Sequence, residues 1–375
     1  MLEKVIKPNA FLADIIIVLL LYGSTTAYSN AQRDRLYKWR KEVLDSLNDD
    51  GKLRLIEKAD REFKSRNVVV INKKQSLTGD KHNYESLSSY YWPDSNNPNG
   101  AYISKDGLVN PETLDCDREK INKMATRCVL FSKVFYLTKE KKYYKAFVSQ
   151  IDDWFIRKRT KMNPHMNYSQ VIKGKYNNMG QAHGIIDAYA LSDVLESIRL
   201  VEIVKPLPKR QTSALKMWFF DFSEWLQNSD QGKIESKQPN NHCPYYYSLL
   251  ANIGIYTGNE RLIDNIVNKY PEVVLRRLIS EDGRQSGEMV RTRAYHYSIL
   301  SLSAMVDFCY IMKQYGVDFY EENEEIIDKG FAYLTQYIDN REAFPAQEIG
   351  NWDYEVSYLR KQLERLDCLK SSNKN

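Results

Sequence analysis

The sequence predicts an all-α protein, on two observations. Apolar residues recur at helical spacing through most of the chain after Asp117, and this period is the main sequence signal of an amphipathic helix. Strand-like patterns are almost absent, apart from one short β-like run at residues 68–71. A chain of this kind buries its apolar faces by packing helix against helix.

Roughly ten helices are predicted, in an antiparallel-looking succession. The clearest apolar stripes fall at residues 33–48, 121–129, 144–155, 185–204, 215–226, 263–278, 299–310 and 326–338. Long polar segments, including residues 72–112 and 158–184, separate these stripes. Segments of that length inside a compact domain are either disordered or functional. The tyrosines and the tryptophan within residues 72–112 argue against disorder.

The bulk composition describes a globular protein. The chain has 375 residues, of which 43% are hydrophobic and 27% charged. No linker rich in proline or serine divides it, so we predict a single domain at residues 32–375. The formal net charge of +5 comes without the runs of lysine and arginine that mark a nucleic-acid surface. We therefore expect no nucleic-acid partner, and we expect a monomer.

The N-terminus has the pattern of a secretory signal peptide. Lys4 and Lys7 precede an apolar run at residues 11–21, and small residues follow up to Ala31. We predict a signal peptide at residues 1–31, a periplasmic or secreted location, and no membrane association after cleavage. The alternative is a buried N-terminal helix, although Asp14 would be unusual in such a core.

Two dense polar stretches stand out in the second half of the chain. Residues 239–247 are PNNHCPYYY, and residues 288–297 are EMVRTRAYHY. Together they supply amides, imidazoles, guanidiniums and phenols, which can hold an anion or move a proton. We predict that the two stretches face each other across one cleft.

The common motifs for metals, phosphates and nucleophiles are missing. The five histidines and five cysteines show no zinc-type spacing, and no HExxH or glycine-rich phosphate loop occurs. Cys243 could be a nucleophile if His296 lay beside it. A small residue that fills a tight turn before Pro244 is the simpler explanation. We therefore expect no metal and no cofactor.

The side chains that are present suit the removal of a proton beside a carboxylate. Loss of the α-proton of a uronate puts a second negative charge on its carboxyl group, and donors such as Asn241, His242 and Arg291 would stabilise that charge. A tyrosine whose pKa is lowered by nearby positive charge would move the proton. The alternative is structural, with an asparagine capping a helix that starts near Tyr245.

Several separate motifs, in order, resemble the alginate lyase family of polysaccharide lyases. The resemblance runs from about residue 68 to residue 308. The motifs are TGDKHNY at 78–84, YYWPD at 90–94, DGLVNPE at 106–112, MNPHMNY at 162–168, GIID at 184–187, NNH at 240–242, DGRQ at 282–285, RTR at 291–293 and HYS at 296–298. Such an ordered set is far more specific than any single motif.

The resemblance implies an α/α toroid, which is an incomplete barrel of antiparallel helix pairs with long functional loops. It implies a polysaccharide lyase that cleaves an anionic, uronate-containing, alginate-like polysaccharide by β-elimination. In that scheme Asn241 and His242, with Arg291, neutralise the uronate carboxylate, and a tyrosine just after the arginine is general base and acid. The alternatives are a catalytically inactive polysaccharide-binding toroid and a glycoside hydrolase on the same scaffold.

Two tyrosines compete for the proton-transfer role. The resemblance favours Tyr297, six residues after Arg291. A helix that began at Arg291 would instead put Tyr295 on the face of the arginine and Tyr297 on the opposite side, because each residue turns the helix by about 100°. The assignment to Tyr297 therefore requires the helix to begin after Arg291.

The polar segments and motif stretches also indicate which side chains would contact the sugars. They are Lys74, His82, Tyr84, Tyr90, Tyr91, Trp92, Asn163, Asn167, Tyr168, Tyr245, Tyr246, Arg293 and His296. One departure from the family follows the NNH motif, where Cys-Pro-Tyr at residues 243–245 replaces the usual glycine and tryptophan. A tyrosine at that position can still stack on a sugar face.

Overall fold

The structure is a computed structural model that describes residues 44–114 and 116–371. The signal peptide predicted at residues 1–31, and most of the helix predicted at residues 33–48, lie outside the described residues. Within the described ranges, no helix is both long enough and apolar enough to cross a membrane.

The described part of the chain is dominated by α-helices, which confirms the predicted all-α class. In chain order they are α1 (Asp49–Phe63), α2 (Asp117–Thr138), α3 (Lys141–Ile151), α4 (Ala190–Val204), α5 (Lys209–Asn228), α6 (Asp230–Glu235), α7 (His242–Thr257), α8 (Glu260–Tyr270), α9 (Ser286–Met289), α10 (Ala294–Tyr315), α11 (Phe319–Thr335) and α12 (Trp352–Ser371).

Short strands and turns lie in the long loops. β1 (Glu85–Leu87) pairs in parallel with β4 (Tyr168–Val171), and β2 (Tyr91–Trp92) pairs antiparallel with β3 (Ile103–Ser104). The 3₁₀ helices are Pro111–Thr113, Tyr176–Asn178, Ala182–Tyr189 and Arg341–Ala343, and the π-helical turns are Asp152–Ile156 and Pro271–Arg276. These small elements give the polar segments a fixed shape.

Several elements differ from the sequence-based expectation. The apolar run at residues 68–71 is not a strand, because Val69 and Val70 are buried within coil and a turn. The pattern predicted at residues 185–204 begins as a 3₁₀ helix before α4 takes over. Helix α12 lacks a clean apolar stripe, since its buried face includes Glu355 and Arg365.

The core is formed where neighbouring helices pack. Helix α2 packs against α4, α7 packs against α10, and α10 also contacts α11 and α12. Aromatic side chains fill much of the interior, and the rings of Tyr270 and Phe308 stack with their centroids 3.8 Å apart. Helices α7 and α10 both begin at one large cavity. Their N-termini carry partial positive charge and so favour an anion there.

The packing of α4 leads to a stability prediction. Leu195 is fully buried in α4, so Leu195→Ala should lower the free energy of unfolding by about 2–5 kcal/mol. Leu53 in α1 is 54% exposed, so the matched change Leu53→Ala should cost less than about 0.5 kcal/mol. Urea denaturation of both variants measures the difference. Equal losses would contradict the placement of Leu195 in the core.

Candidate active site

The two polar stretches of the sequence meet at a cavity of about 1160 Å³. Asn241 and His242 line it from the start of α7, while Arg291 and Tyr297 line it from the other stretch. The β2–β3 hairpin and the loop before α12 supply further walls. The structure therefore brings the predicted stretches together across one cleft.

The His242 imidazole is held by a buried carboxylate. Its Nδ1 lies 2.6 Å from Oε1 of Glu235, a residue at the end of α6 that is 1% exposed. That contact places a proton on Nδ1, so Nε2 is the ring nitrogen that remains for a ligand. Burial opposes a charged imidazole, but the Glu235 carboxylate outweighs it and raises the pKa of His242 above its ordinary value. His242 is therefore suited to donate a hydrogen bond to an anion.

Asn241 is held through its backbone. Its N–H donates to Oε1 of Glu288, a carboxyl whose pKa is raised to about 7 by burial. Gly287 permits this approach, because a Cβ there would lie 1.7 Å from the Pro239 carbonyl oxygen. The Asn241 side chain makes no capping hydrogen bond, and its Oδ1 has no partner among the described residues. The Asn241 side chain is thus free of the capping role proposed as an alternative, and the Oδ1 of Asn240 accepts the His242 N–H at 3.2 Å instead.

Arg291 lies in the turn before α10 and is already paired. Its Nε and Nη2 donate to the Asp106 carboxylate at 3.2 and 2.9 Å. Its guanidinium carbon lies 4.0 Å from the centroid of the Tyr297 ring. Of its nitrogens, only Nη1 makes no hydrogen bond to a described residue, and it lies 4.0 Å from Oε2 of Glu288. At most one edge of this arginine remains for a substrate carboxylate.

Tyr297 points into the cavity from the first turn of α10. Because this helix begins at Ala294, the helical count from Arg291 does not apply. The hydroxyl oxygens of Tyr297 and Tyr90 are 2.7 Å apart and share a hydrogen bond. Burial and the neighbouring Tyr90 raise the pKa of Tyr297 well above its ordinary value, and Arg291 offsets this only in part. The expectation of a lowered tyrosine pKa is therefore wrong.

Tyr295 occupies a different environment. It is fully buried, its ring stacks on Trp352 with the centroids 4.2 Å apart, and its hydroxyl donates to the Leu334 carbonyl at 3.0 Å. It does not line the cavity. This placement contradicts the alternative in which Tyr295 carries the proton, because packing against α12 turns the side chain away from the cleft.

Arg293 and His296, which were predicted to contact the sugars, line the cavity, and both belong to a buried ion cluster. Arg293 Nη2 donates to Glu355 Oε1 at 2.9 Å, and His296 Nδ1 lies 2.9 Å from the same oxygen. Arg293 also faces Glu348, whose Oε2 accepts the His296 backbone N–H. The cluster joins the start of α10 to α12 and to the loop before it.

The predicted sugar contacts divide into two groups. Those that line the cavity are Tyr90, Tyr91, Trp92, Tyr245, Arg293 and His296. Those that do not are Lys74, His82, Tyr84, Asn163, Asn167, Tyr168 and Tyr246. The second group mostly holds loops in place. For example, Asn163 donates to the side chains of Asp80 and Asn83, and the Tyr246 hydroxyl donates to the Leu226 carbonyl.

Several cavity residues were not predicted as site residues. His183 lies across from His242, with ring centroids 6.5 Å apart, and burial lowers its pKa to about 4. Asp187 accepts hydrogen bonds from the side chains of Tyr84 and Arg118 and so fixes the wall between β1 and α4. Asp106 holds Arg291. Asp106 and Asp187 both lie in motifs of the sequence, but no local pattern predicted which side chains would bond to them.

No cluster of three or more histidine, cysteine, aspartate or glutamate side chains in the described ranges is placed to hold a metal ion. The free cysteines include Cys243, which is buried against Arg277 with Sγ 3.0 Å from Nη2. Cys243 does not line the cavity. The nucleophile alternative for Cys243 and His296 therefore lacks a shared site.

The helical scaffold encloses a polar cleft that is lined by amide, imidazole and phenol groups, a set that suits an enzyme moving a proton beside an anion. The alginate lyase family matches residues 69–344, and the chain belongs to that family and is a polysaccharide lyase. Among curated protein sequences, none matched the chain.

Solved structures agree with this membership. The crystal structure of an alginate lyase from Bacteroides ovatus is 31% identical, covers 90% of this chain and 90% of its own, and has a TM-score of 0.82. Alginate lyase A1-III from Sphingomonas species A1 is 16% identical, covers 83% of this chain and 86% of its own, and has a TM-score of 0.53. The second likeness concerns the fold alone. The predicted helical toroid is confirmed.

The placement of the two tyrosines predicts opposite outcomes for the same small change. Tyr297→Phe removes the only cavity hydroxyl of the pair, so lyase turnover should fall by at least about 100-fold. Tyr295→Phe removes a buried hydrogen bond to Leu334, so it should cost about 1 kcal/mol of stability and keep most of the activity. Initial rates and thermal unfolding of both variants test this. A dead Tyr295→Phe enzyme with native stability would reverse the assignment.

Proposed function

We propose that the protein depolymerises a uronate-containing polysaccharide by β-elimination. The observation that carries this proposal is the joint placement of Asn241, His242 and Tyr297 at one cavity, with His242 Nε2 left for a ligand by the Glu235 contact. The first two are hydrogen-bond donors for a carboxylate, and the third is a hydroxyl that can exchange a proton.

The first requirement of the reaction is to make the proton at C5 of the uronate acidic. The amide of Asn241 and the Nε2–H of a protonated His242 donate to the carboxylate, where negative charge grows as C5 loses its proton. The N-terminus of α7 adds its partial positive charge at the same place. Arg291 contributes through Nη1, the guanidinium nitrogen that the Asp106 contact leaves unbonded.

The second requirement is a group that takes the proton and supplies one to the leaving group. Ionised Tyr297 removes the C5 proton, the C4–O bond breaks, a C4=C5 double bond forms, and the phenol returns the proton to the glycosidic oxygen. Atoms and charge balance without water. The raised pKa of Tyr297 keeps most of the side chain in the phenol form, and the ionised form is a minor species but a strong base. The Tyr90 hydroxyl at 2.7 Å is a path by which the phenol proton can leave.

Three acids position this machinery without touching the substrate. Glu235 fixes the ring of His242, Glu288 holds the backbone of Asn241, and Asp106 holds Arg291 over Tyr297. Each acts through a hydrogen bond to a group on a different part of the chain. We regard them as positioning residues rather than catalytic ones.

The substrate class follows from the chemistry and from the relatives. The relatives carry the name alginate lyase, and a variant of the Sphingomonas enzyme was crystallised with a tetrasaccharide. For this chain we infer an anionic uronate polymer of the alginate type, acted on by a monomer. We also infer export by the segment at residues 1–31, and a periplasmic or secreted location.

The proposal is tested by offering the enzyme a panel of polymannuronate, polyguluronate, polyglucuronate and a neutral glucan. We expect at least one uronate polymer to give both new reducing ends and the ultraviolet absorbance of an unsaturated uronate, and we expect no reaction with the neutral glucan. Reducing ends without that absorbance would indicate a hydrolase. Binding without either signal would indicate a catalytically inactive toroid.

A second prediction concerns pH. The reactive state needs His242 protonated and Tyr297 ionised, and the pKa of Tyr297 is the higher of the two, so the acid limb of kcat/KM follows His242. Glu235→Gln removes the carboxylate that raises the pKa of His242. The acid limb should then move to lower pH, and the plateau should fall about tenfold for each unit by which the pKa drops.

The control for this experiment is Glu112→Gln, which removes an exposed acid that is paired with Lys173 outside the His242 network. Its pH profile should match that of the unmodified enzyme. An unchanged acid limb in the Glu235→Gln profile would contradict the role of His242 as a charged donor.

A further inference from the structure

Positive charges inside the cavity are already compensated. Arg118 bonds Asp187 at 3.0 Å, Arg291 bonds Asp106 at 2.9 Å, and Arg293 bonds Glu355 at 2.9 Å. The arginines that line the cavity therefore supply little net field for a polymer that carries a carboxylate on each sugar. Attraction for the carboxylates beyond the reacting sugar has to come from somewhere else.

Uncompensated positive charge lies at the edge of the cavity, on the β2–β3 hairpin and the turn beside it. Lys105 Nζ lies 5.1 Å from the Trp92 ring centroid, and Lys175 Nζ lies 5.6 Å from the Tyr91 ring centroid. Tyr91 and Trp92 both belong to the residues that line the cavity. Neither lysine forms an ion pair with a carboxylate of the described residues, whereas Lys173 nearby is paired with Glu112 at 2.9 Å.

The backbone holds these pairs in place. The Lys105 N–H donates to the Tyr90 carbonyl at 2.7 Å, and the Tyr102 N–H donates to the Lys173 carbonyl at 3.1 Å, which joins the hairpin to the turn. Gly174, with φ +78°, packs on Ala101, where a Cβ would lie 2.8 Å from the Cα. The three residues Tyr176 to Asn178, which follow Lys175 in this turn, all have positive φ. That conformation costs energy for residues other than glycine.

We propose that Lys105 with Trp92, and Lys175 with Tyr91, bind the sugars of a polyuronate that extend beyond the cavity. An aromatic ring offers a flat apolar surface to a sugar, and an adjacent ammonium pairs with its carboxylate. The occupant is the remainder of the same polymer whose reacting uronate lies at Asn241 and Tyr297. This inference rests on the proposed β-elimination, and it makes the enzyme prefer long chains over short oligomers.

The two lysines differ from other surface lysines in their continuity with the cavity. Trp92 and Tyr91 are adjacent residues of β2, so their side chains leave the strand on opposite faces. The two pairs therefore lie on opposite faces of the hairpin. A comparison of the Lys105→Ala and Lys175→Ala variants shows which of the two pairs the polysaccharide contacts.

The test compares Lys105→Ala, Lys175→Ala and the double variant on a long polyuronate and on the shortest oligomer that is cleaved. The double variant should lose about tenfold in kcat/KM on the polymer, with a weaker dependence on salt and little change on the oligomer. Lys58→Ala is the control, because it removes the same charge from an exposed site on α1, away from the cavity. The Lys58→Ala variant should leave kcat/KM unchanged on both the polymer and the oligomer.

A binding measurement separates this inference from the proposed function. In the Tyr297→Phe background, the double lysine variant should be retarded less by the uronate polymer than the Lys58 variant. The retardation of each variant is measured relative to its own migration in a gel with a neutral glucan, because the two variants differ by one charge. Equal retardation in the uronate gel, or equal rate losses on polymer and oligomer, would overturn the inference. Absence of the unsaturated product with the unmodified enzyme would instead overturn the proposed function.

Discussion

The hydrogen-bonded ion pair between Asp106 and Arg291 is the contact on which the site depends most. It joins a loop near the β2–β3 hairpin to the turn before α10, across 185 residues of sequence. With Nε and Nη2 bound to the carboxylate, the guanidinium carbon lies 4.0 Å from the centroid of the Tyr297 ring. Removing one partner of such a pair leaves the other charge partly buried and uncompensated, which is destabilising. The same contact therefore fixes the arginine, the tyrosine and the wall of the cleft.

Acidic partners recur throughout the cavity wall, and they set the character of the site. Because the carboxylates neutralise the arginines, the cleft does not bind an anion through bulk positive charge. In the proposed mechanism, recognition comes from directed side-chain donors, namely the Asn241 amide and the His242 imidazole. Preorganised donors of that kind stabilise the charge that develops during proton removal more than they stabilise the ground state. A site that cleaves a polyanion gains from this, because uniformly tight binding would slow release of the product.

Much of the helical scaffold was predictable because helix packing leaves a local signal. An amphipathic helix repeats its apolar residues within a few turns, so α2, α5, α8 and α10 were visible in the sequence alone. Helix α12 was not visible, since its inward face includes Glu355, which pairs with Arg293 just before α10 and with His296 in the first turn of α10. A buried polar residue breaks the local period, and only the distant partner explains it. The strand prediction at residues 68–71 was wrong for a different reason. These apolar residues are buried in coil and a turn, and their composition is the same as that of a short buried strand.

The sequence by itself predicted the chemical groups of the proposed site, since NNH and the Arg-to-Tyr stretch supply amide, imidazole, guanidinium and phenol groups. The tertiary structure decided which members of that set meet. Tyr297 faces the cavity because α10 begins only at Ala294, whereas Tyr295 is turned onto Trp352. The sequence also could not predict that Asp106 pairs with Arg291, that Glu235 pairs with His242, or that the pKa of Tyr297 is raised. Motif spacing records which groups are near one another along the chain, but burial, charge pairing and the first residue of a helix depend on contacts made by segments far apart in sequence.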